Sequence, residues 1–168
     1  TRGNATVPAL GALQAAIKDI GKREDPPGSN AGPQIAHLVD GYREHWKWPR
    51  KDYGKVAPAW CAMAASWWIR MGCGAQSWGE TPMGDWFGGS NQWRAWAREH
   101  RCWSKYPNPG ALLIIGDYKD AYHTGMVAYY DVADDKVISI EGNVSNAVTV
   151  MERRTTDIHG FINWWAAA

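Results

Sequence analysis

No apolar run in this 168-residue chain approaches the roughly 20 residues needed to cross a bilayer as a helix, so membrane insertion is not expected. An excess of one charge is also missing: 18 Lys and Arg against 17 Asp and Glu leave a formal net charge of +1. That balance argues against the basic face by which nucleic acid or an anionic membrane surface is held. Cysteine is scarce, and three cysteines cannot all pair with one another. Either all are reduced, or Cys73 and Cys102 pair and leave Cys61 free. No internal repeat, low-complexity tract or shift in composition divides the chain, and its length suits one domain with a full core, 1–168. The opening, TRGNATVPALGAL, has neither an initiator Met nor the apolar core of a signal peptide, and reads as the trimmed edge or one module of a longer protein. Tryptophan, by contrast, is abundant at 12 residues.

Periodicity divides the chain into two halves. Leu10, Leu13, Ile17 and Ile20 recur at helical spacing before Gly21, which predicts an amphipathic helix over 8–20. Ile35, Leu38, Val39 and Tyr42 predict a second, shorter helix. Residues 61–71 predict a third, apolar nearly all round and therefore buried, with Gly72 as its stop. Ser90 is placed to cap a fourth over 91–99. Residues 24–34 hold three prolines and two glycines and must form a structured loop; 46–58 and the Gly-rich 73–90 are further loops. After Pro109 the runs ALLIIGDY, HTGMVAYY, KVISIEGN, AVTVMERR and HGFINWW are short, apolar or alternating, and separated by turn residues, which predicts an antiparallel meander. Helices first and strands second make an α+β domain, N-terminal helices packed on a C-terminal antiparallel sheet.

Cys61 follows Ala-Trp at the head of the apolar helix. A helix N-terminus favours the thiolate, the form in which cysteine is a nucleophile. On position alone a small buried hydrophobe is the commoner role for such a cysteine, so a partner base decides the matter. His37, His45 and His100 sit among helical or loop residues and suit surface or core roles. His123 and His159 each open a predicted strand. If 123–130 and 136–143 form a hairpin around DVADD, Tyr130 lies opposite Lys136 and His123 opposite the stretch 141–143. Opposed residues share a face, as do residues two apart, so His123, Glu141 and Asn143 should project together. A carboxylate that orients an imidazole, with a polar group near the oxyanion, is what Cys–His acyl transfer requires. His159 has no such company.

These residues carry a resemblance. APAWCAMAASWWIRMG resembles the nucleophile helix of the CHAP family, the cysteine- and histidine-dependent amidohydrolase/peptidase modules within the papain-like and NlpC/P60-like cysteine hydrolases. KDIGKREDPPGSNAGPQI is similar to the segment that precedes that helix in one subgroup, with its GSN-GP loop. PNPGALLII and HTGMVAYYD resemble the strand pair whose second member opens with the histidine. ISIEGNVSNAV resembles the strand end that bears the acid and asparagine. The resemblance spans most of the chain and implies a papain-like fold with Cys61 as nucleophile, His123 as general base, Glu141 as the orienting third residue and Asn143 as a polar partner. It departs from the family at Ala111, where Pro-Gly-Asp is common, and lacks the alternating acids of a calcium loop; Asp52 alone is a poor metal site. No metal and no cofactor are expected.

The resemblance further implies peptidoglycan as the partner, cut at the N-acetylmuramoyl-L-alanine amide or within the stem or crossbridge peptide. The enzyme would act as a monomer, exported to the wall or periplasm or carried by a phage. Trp60 beside Cys61, and Ser29 and Asn30 of the 24–34 loop, are the expected substrate-binding residues, with 24–34 and 74–90 as cleft walls. The other tryptophans suit core packing better than a sugar-stacking groove. Two readings compete: a non-catalytic wall-binding module of the same fold, and a cysteine hydrolase of some other amide.

Overall fold

A computed structural model describes residues 6–47 and 59–167. Trp48, Asp52 and most of the 46–58 loop lie outside the described residues. Within them the chain forms an α+β structure of four α-helices and a six-stranded antiparallel sheet.

The helices are α1 (Val7–Asp19), α2 (Ala36–His45), α3 (Cys61–Cys73) and α4 (Ser90–Glu99). Thr6 caps α1, its hydroxyl accepting from the Ala9 N–H at 3.5 Å, and Pro8 occupies the first turn, where its missing donor costs nothing. α3 does not stop at Gly72 as predicted. It runs to Cys73, and Gly74 ends it in the left-handed conformation with φ 64°. Gly72 serves packing instead. A Cβ there would lie 2.5 Å from the Pro8 carbonyl oxygen and 2.7 Å from Ala12 Cα, while one on Gly11 would lie 3.0 Å from the Gly72 carbonyl oxygen. The backbones of α1 and α3 therefore touch through two glycines. α4 begins at Ser90 itself. Gly89 is the capping position, and Gln92 turns its amide oxygen back to the N–H groups of Gly88 and Gly89, both at 3.0 Å.

The strands are β1 (Trp103–Ser104), β2 (Leu112–Gly116), β3 (Ala121–Asp131), β4 (Lys136–Val144), β5 (Ala147–Arg154) and β6 (Gly160–Ile162), in the spatial order β1-β6-β2-β3-β4-β5. β2 to β5 form the expected meander. β6 departs from it, crossing back to pair with β2 on the side away from β3 and with β1, a two-residue strand that the sequence pattern does not reveal.

Register in the β3–β4 hairpin decides what faces the site. Lys136 pairs with Asp131, one residue beyond the predicted Tyr130. A bulge at Ala128 inserts one extra residue in β3, so that Val127 meets Ser139 and Met126 meets Ile140. The two differences cancel. Continued along the strands, this register sets Gly125 opposite Glu141 and His123 opposite Asn143.

The sheet is apolar on both faces, which accounts for the unbroken run Leu112–Ile115. Leu112, Ile114, Met126 and Ile140 pack towards Ala12, Met63 and Trp68 of the helices. Leu113, Ile115, Val127 and Val137 pack on the other face with Ile158 and Phe161. Asp19, only 4% exposed, ties the helices together by accepting from Trp68 Nε1 at 2.8 Å and Lys22 Nζ at 2.6 Å.

Gly72→Ala should force α1 off α3 and cost about 1–3 kcal/mol, a fall in Tm of roughly 2–10 °C by thermal unfolding. Gly79→Ala, whose Cβ would meet only Ser77 Oγ at 4.0 Å, should leave Tm unchanged.

Candidate active site

Cys61 is the first residue of α3, following Trp60 at the capping position. The leading N–H groups of a helix have no acceptor within it, and the first intrahelical bond here runs from Ala64 N to the Trp60 carbonyl at 3.0 Å. The sulfur therefore sits in the positive field of the helix start. The thiol is 3% exposed and borders an open cavity of ≈ 470 Å³, lined also by His123, Asn143, Tyr122, Ile115 and Arg153. Ser90, the first residue of α4 and so one position past its cap, brings its hydroxyl to 4.0 Å from Cys61 Sγ.

Trp60 is wholly buried and does not line the cavity. Its Nε1 donates to Glu24 Oε1 at 2.8 Å, and its ring lies where a Cβ on Gly142 would come within 2.9 Å. A side chain so enclosed cannot stack on a sugar, so its place beside Cys61 is one of support. Glu24, itself 2% exposed, also accepts from the Asn30 N–H at 3.0 Å, and its own N–H donates to the Asn146 carbonyl at 2.9 Å. Ser29 closes the same loop, its hydroxyl donating to the Ala31 carbonyl at 3.1 Å. Ser29 and Asn30 are thus brought to the loop that anchors Trp60 and not to the cavity wall.

His123 lies on β3 opposite Ile115. Its Nε2 meets Glu141 Oε2 at 2.6 Å, which leaves Nδ1 for the thiol. Glu141 has no solvent exposure, and its side chain passes over Gly125, where a Cβ would come within 2.5 Å of Glu141 Cγ. Glycine at 125 is what allows the carboxylate to reach across to the next strand. The remaining acceptor capacity of Glu141 is filled by Ser139 Oγ on Oε1, Arg153 Nε on Oε1 and Arg153 Nη2 on Oε2, each at 2.6 Å. Asn143 has φ 60° and ends the regular pairing of β4 before a turn in which Ser145 and Asn146 also have positive φ, 49° and 63°. This left-handed step brings Asn143 to the same cavity as Cys61 and His123.

The electrostatics follow from these contacts. Burial opposes ionisation of Cys61, but the hydrogen bond and charge of His123, with the Thr124 N–H and Ser90, outweigh it and lower the thiol from its ordinary 9.0. Burial likewise opposes protonation of His123, and is outweighed by Cys61 and Glu141, which raise the imidazole to about 9. Glu141 is held down to about 2 against its burial by Arg153, His123 and Ser139. All three directions favour a thiolate–imidazolium pair beside an ionised carboxylate. The other two cysteines are free thiols of opposite character: burial raises Cys73, and raises Cys102 to about 11.

The structure thus brings Cys61, His123, Glu141 and Asn143 to one place and leaves the other histidines elsewhere. His37 is 3.2 Å from Asp19, His45 is 2.7 Å from Asp85, and His100 Nδ1 is 2.9 Å from the Trp96 carbonyl. His159 packs between Trp103 and Tyr118. Sequence reasoning missed Arg153, Ser139 and Ser90. Ser139 had a signal, two residues before Glu141 on one strand face, and Arg153 had a weaker one, since its partner Val137 lies on that face too. Ser90 had none, because two helix starts meet there only in three dimensions. Comparison with protein-family models, curated proteins and solved structures finds no match to this chain.

At pH 7 iodoacetamide should alkylate Cys61 ahead of Cys73 and Cys102, located by peptide mass spectrometry. A lowered thiol pKa means that the thiolate is lost only as pH falls through that lowered value, so His123→Gln should move the alkylation profile of Cys61 to higher pH.

Proposed function

We propose that the chain is a cysteine hydrolase of papain-like fold, of the CHAP kind, that cleaves an amide bond of peptidoglycan. The observation that carries the chemistry is that Cys61 and His123 share an open cavity while the buried Glu141 engages Nε2 of His123 from behind at 2.6 Å. The substrate rests on the resemblance of four ordered segments to CHAP modules, and with it an exported or phage-carried setting.

In this reading the Cys61 thiolate attacks the amide carbonyl carbon and the C–O π electrons move to oxygen. The Cys61 N–H at the helix start is positioned to accept that charge, with Asn143 on the cavity wall as a second polar group. Imidazolium His123 gives its Nδ1 proton to the leaving nitrogen as the C–N bond breaks. A thioester of Cys61 and a free amine result. Water, deprotonated by the now neutral His123, attacks the thioester and releases the acid, restoring the ion pair. Glu141 holds the ring with Nε2–H inward throughout, so that Nδ1 is the nitrogen that moves the proton.

Activity against pH should be bell-shaped. The acid limb marks loss of the Cys61 thiolate. The alkaline limb falls near pH 9, where His123, raised to about 9, gives up the proton needed by the leaving amine. Initial rates measured from about pH 5 to about pH 11 check this.

The deciding experiment is mass spectrometry of soluble products from purified peptidoglycan of several crossbridge types, treated with the parent protein and with Cys61→Ala. Fragments from the parent alone are expected, intact stem peptides identifying an amidase and trimmed muropeptides an endopeptidase. Fragments from both proteins would remove Cys61 from the mechanism. None from either, with Cys61 still selectively alkylated, would point to a different amide; none without selective alkylation would point to a binding module.

A further inference from the structure

A carboxylate without solvent access is costly to keep ionised unless its hydrogen-bonding capacity is filled by charged donors. His123 supplies one such donor to Glu141, and its side chain is 15% exposed. The other charged donor is Arg153, which reaches in from β5 and sets Nε on Oε1 and Nη2 on Oε2, both at 2.6 Å. This is the side-on fork that guanidinium makes with carboxylate and that ammonium cannot reproduce. Arg153 also borders the cavity shared by Cys61 and His123, so it stands behind the reacting pair and not in a distant part of the fold. We propose that Arg153 is a positioning residue: its fork holds the buried Glu141 carboxylate in the one orientation that aims His123 at Cys61.

The physical consequence concerns which nitrogen of His123 carries the proton. A carboxylate with both oxygens occupied by Arg153 is acceptor-only, so it demands Nε2–H and leaves Nδ1 free to take or give a proton at sulfur. Without the fork, burial drives Glu141 towards its protonated form. A carboxylic acid can donate to Nε2, which selects the tautomer with Nδ1–H facing the thiol, a form that cannot accept the thiol proton. The fork therefore protects both the charge that favours imidazolium and the tautomer that works. Ser139 Oγ, the neutral donor on Oε1, can supply neither a charge nor a second contact.

Among the described residues, the ionisable groups around this unit are few. Cys61 faces His123 from α3, Tyr122 comes from β3, and Asp157 lies in the 3-10 turn Thr155–Asp157 after β5. Glu141, then Tyr122 and Asp157, favour the charged state of Arg153, and burial is outweighed. α4 contributes Ser90, which does not titrate in the relevant range.

The proposal rests on Cys61 and His123 being a reacting pair and does not depend on the substrate being peptidoglycan. Its test is the pH dependence of Cys61 alkylation by iodoacetamide, followed by peptide mass spectrometry, in the parent, Arg153→Met, Arg153→Lys, Glu141→Gln and Arg153→Met with Glu141→Gln. The acid limb of Arg153→Met should move up by about one pH unit, about a tenfold loss of rate at a fixed pH on that limb. Arg153→Lys should fall between it and the parent, because charge returns without the fork. In the Glu141→Gln background Arg153→Met should change the rate by less than about twofold, since the residue acts through a carboxylate no longer present. Superimposable profiles for Arg153→Met and parent, with only Tm lowered, would overturn the proposal. An equal shift in the Glu141→Gln background would do so too, by showing that the arginine acts on Cys61 directly. If Arg153→Met does not fold, the Arg153→Lys profile decides: coincidence with the parent overturns the role of the fork. Failure to digest peptidoglycan alongside the expected alkylation shifts would overturn the substrate alone.

Discussion

Glu141 is a carboxylate with no exposure to water, and the arrangement of the site depends on keeping it charged there. Four hydrogen bonds at 2.6 Å do this, from His123, Ser139 and twice from Arg153. Each comes from a position on three neighbouring strands, so the sheet must hold its register for the carboxylate to be satisfied. The chain in turn leaves room: Gly125 has no side chain where Glu141 crosses, and Gly142 none where Trp60 and Ala64 approach. Held charged, Glu141 pulls His123 towards imidazolium, and His123 pulls Cys61 towards thiolate. The field at the head of α3 acts in the same direction.

The helices are fitted to that sheet with equal economy of space. The contact between α1 and α3 at Gly11 and Gly72 brings two backbones together, and Asp19 at the end of α1 takes the Trp68 indole N–H. Trp60 fixes the start of α3 against Glu24, in a loop that is itself bonded to Asn146 in the turn between β4 and β5. Helix α3 is therefore anchored at its start and at its middle by indole–carboxylate bonds of the same 2.8 Å length. The abundance of tryptophan acquires a structural meaning from this. Trp86 donates to the Met63 carbonyl at 3.1 Å and Trp164 to the Gly110 carbonyl at 2.9 Å, so several indoles fill volume and close a polar contact together. Trp78 and Trp86 stack at 4.2 Å, with Arg70 over Trp78 at 4.8 Å. A ring committed in this way is unavailable to a glycan. The cavity beside Cys61 is bordered instead by side chains such as Tyr122, Ile115, Asn143 and Arg153.

Local pattern alone was enough to place the helices, the meander from β2 to β5 and the association of His123 with Glu141 and Asn143, because each rests on a period or a spacing that short-range geometry enforces. Even the one-residue difference in hairpin register left the site unmoved, since the Ala128 bulge restores the pairing before His123 is reached. Tertiary structure alone decided the rest. Whether Gly72 ends a helix or lets another helix approach depends on what lies across from it, and Pro8 and Ala12 lie there. The return of β6 to the far side of β2 is a choice between sheet edges that three buried residues cannot announce. Trp60 reads as a cleft residue by adjacency to Cys61, yet burial and Glu24 take it out of reach. Arg153 looks like one of several surface charges on an alternating strand until a buried carboxylate is set beside it. Spacing along a chain reports which side chains share a face, but charge, burial and hydrogen-bond demand belong to the partners met across the fold.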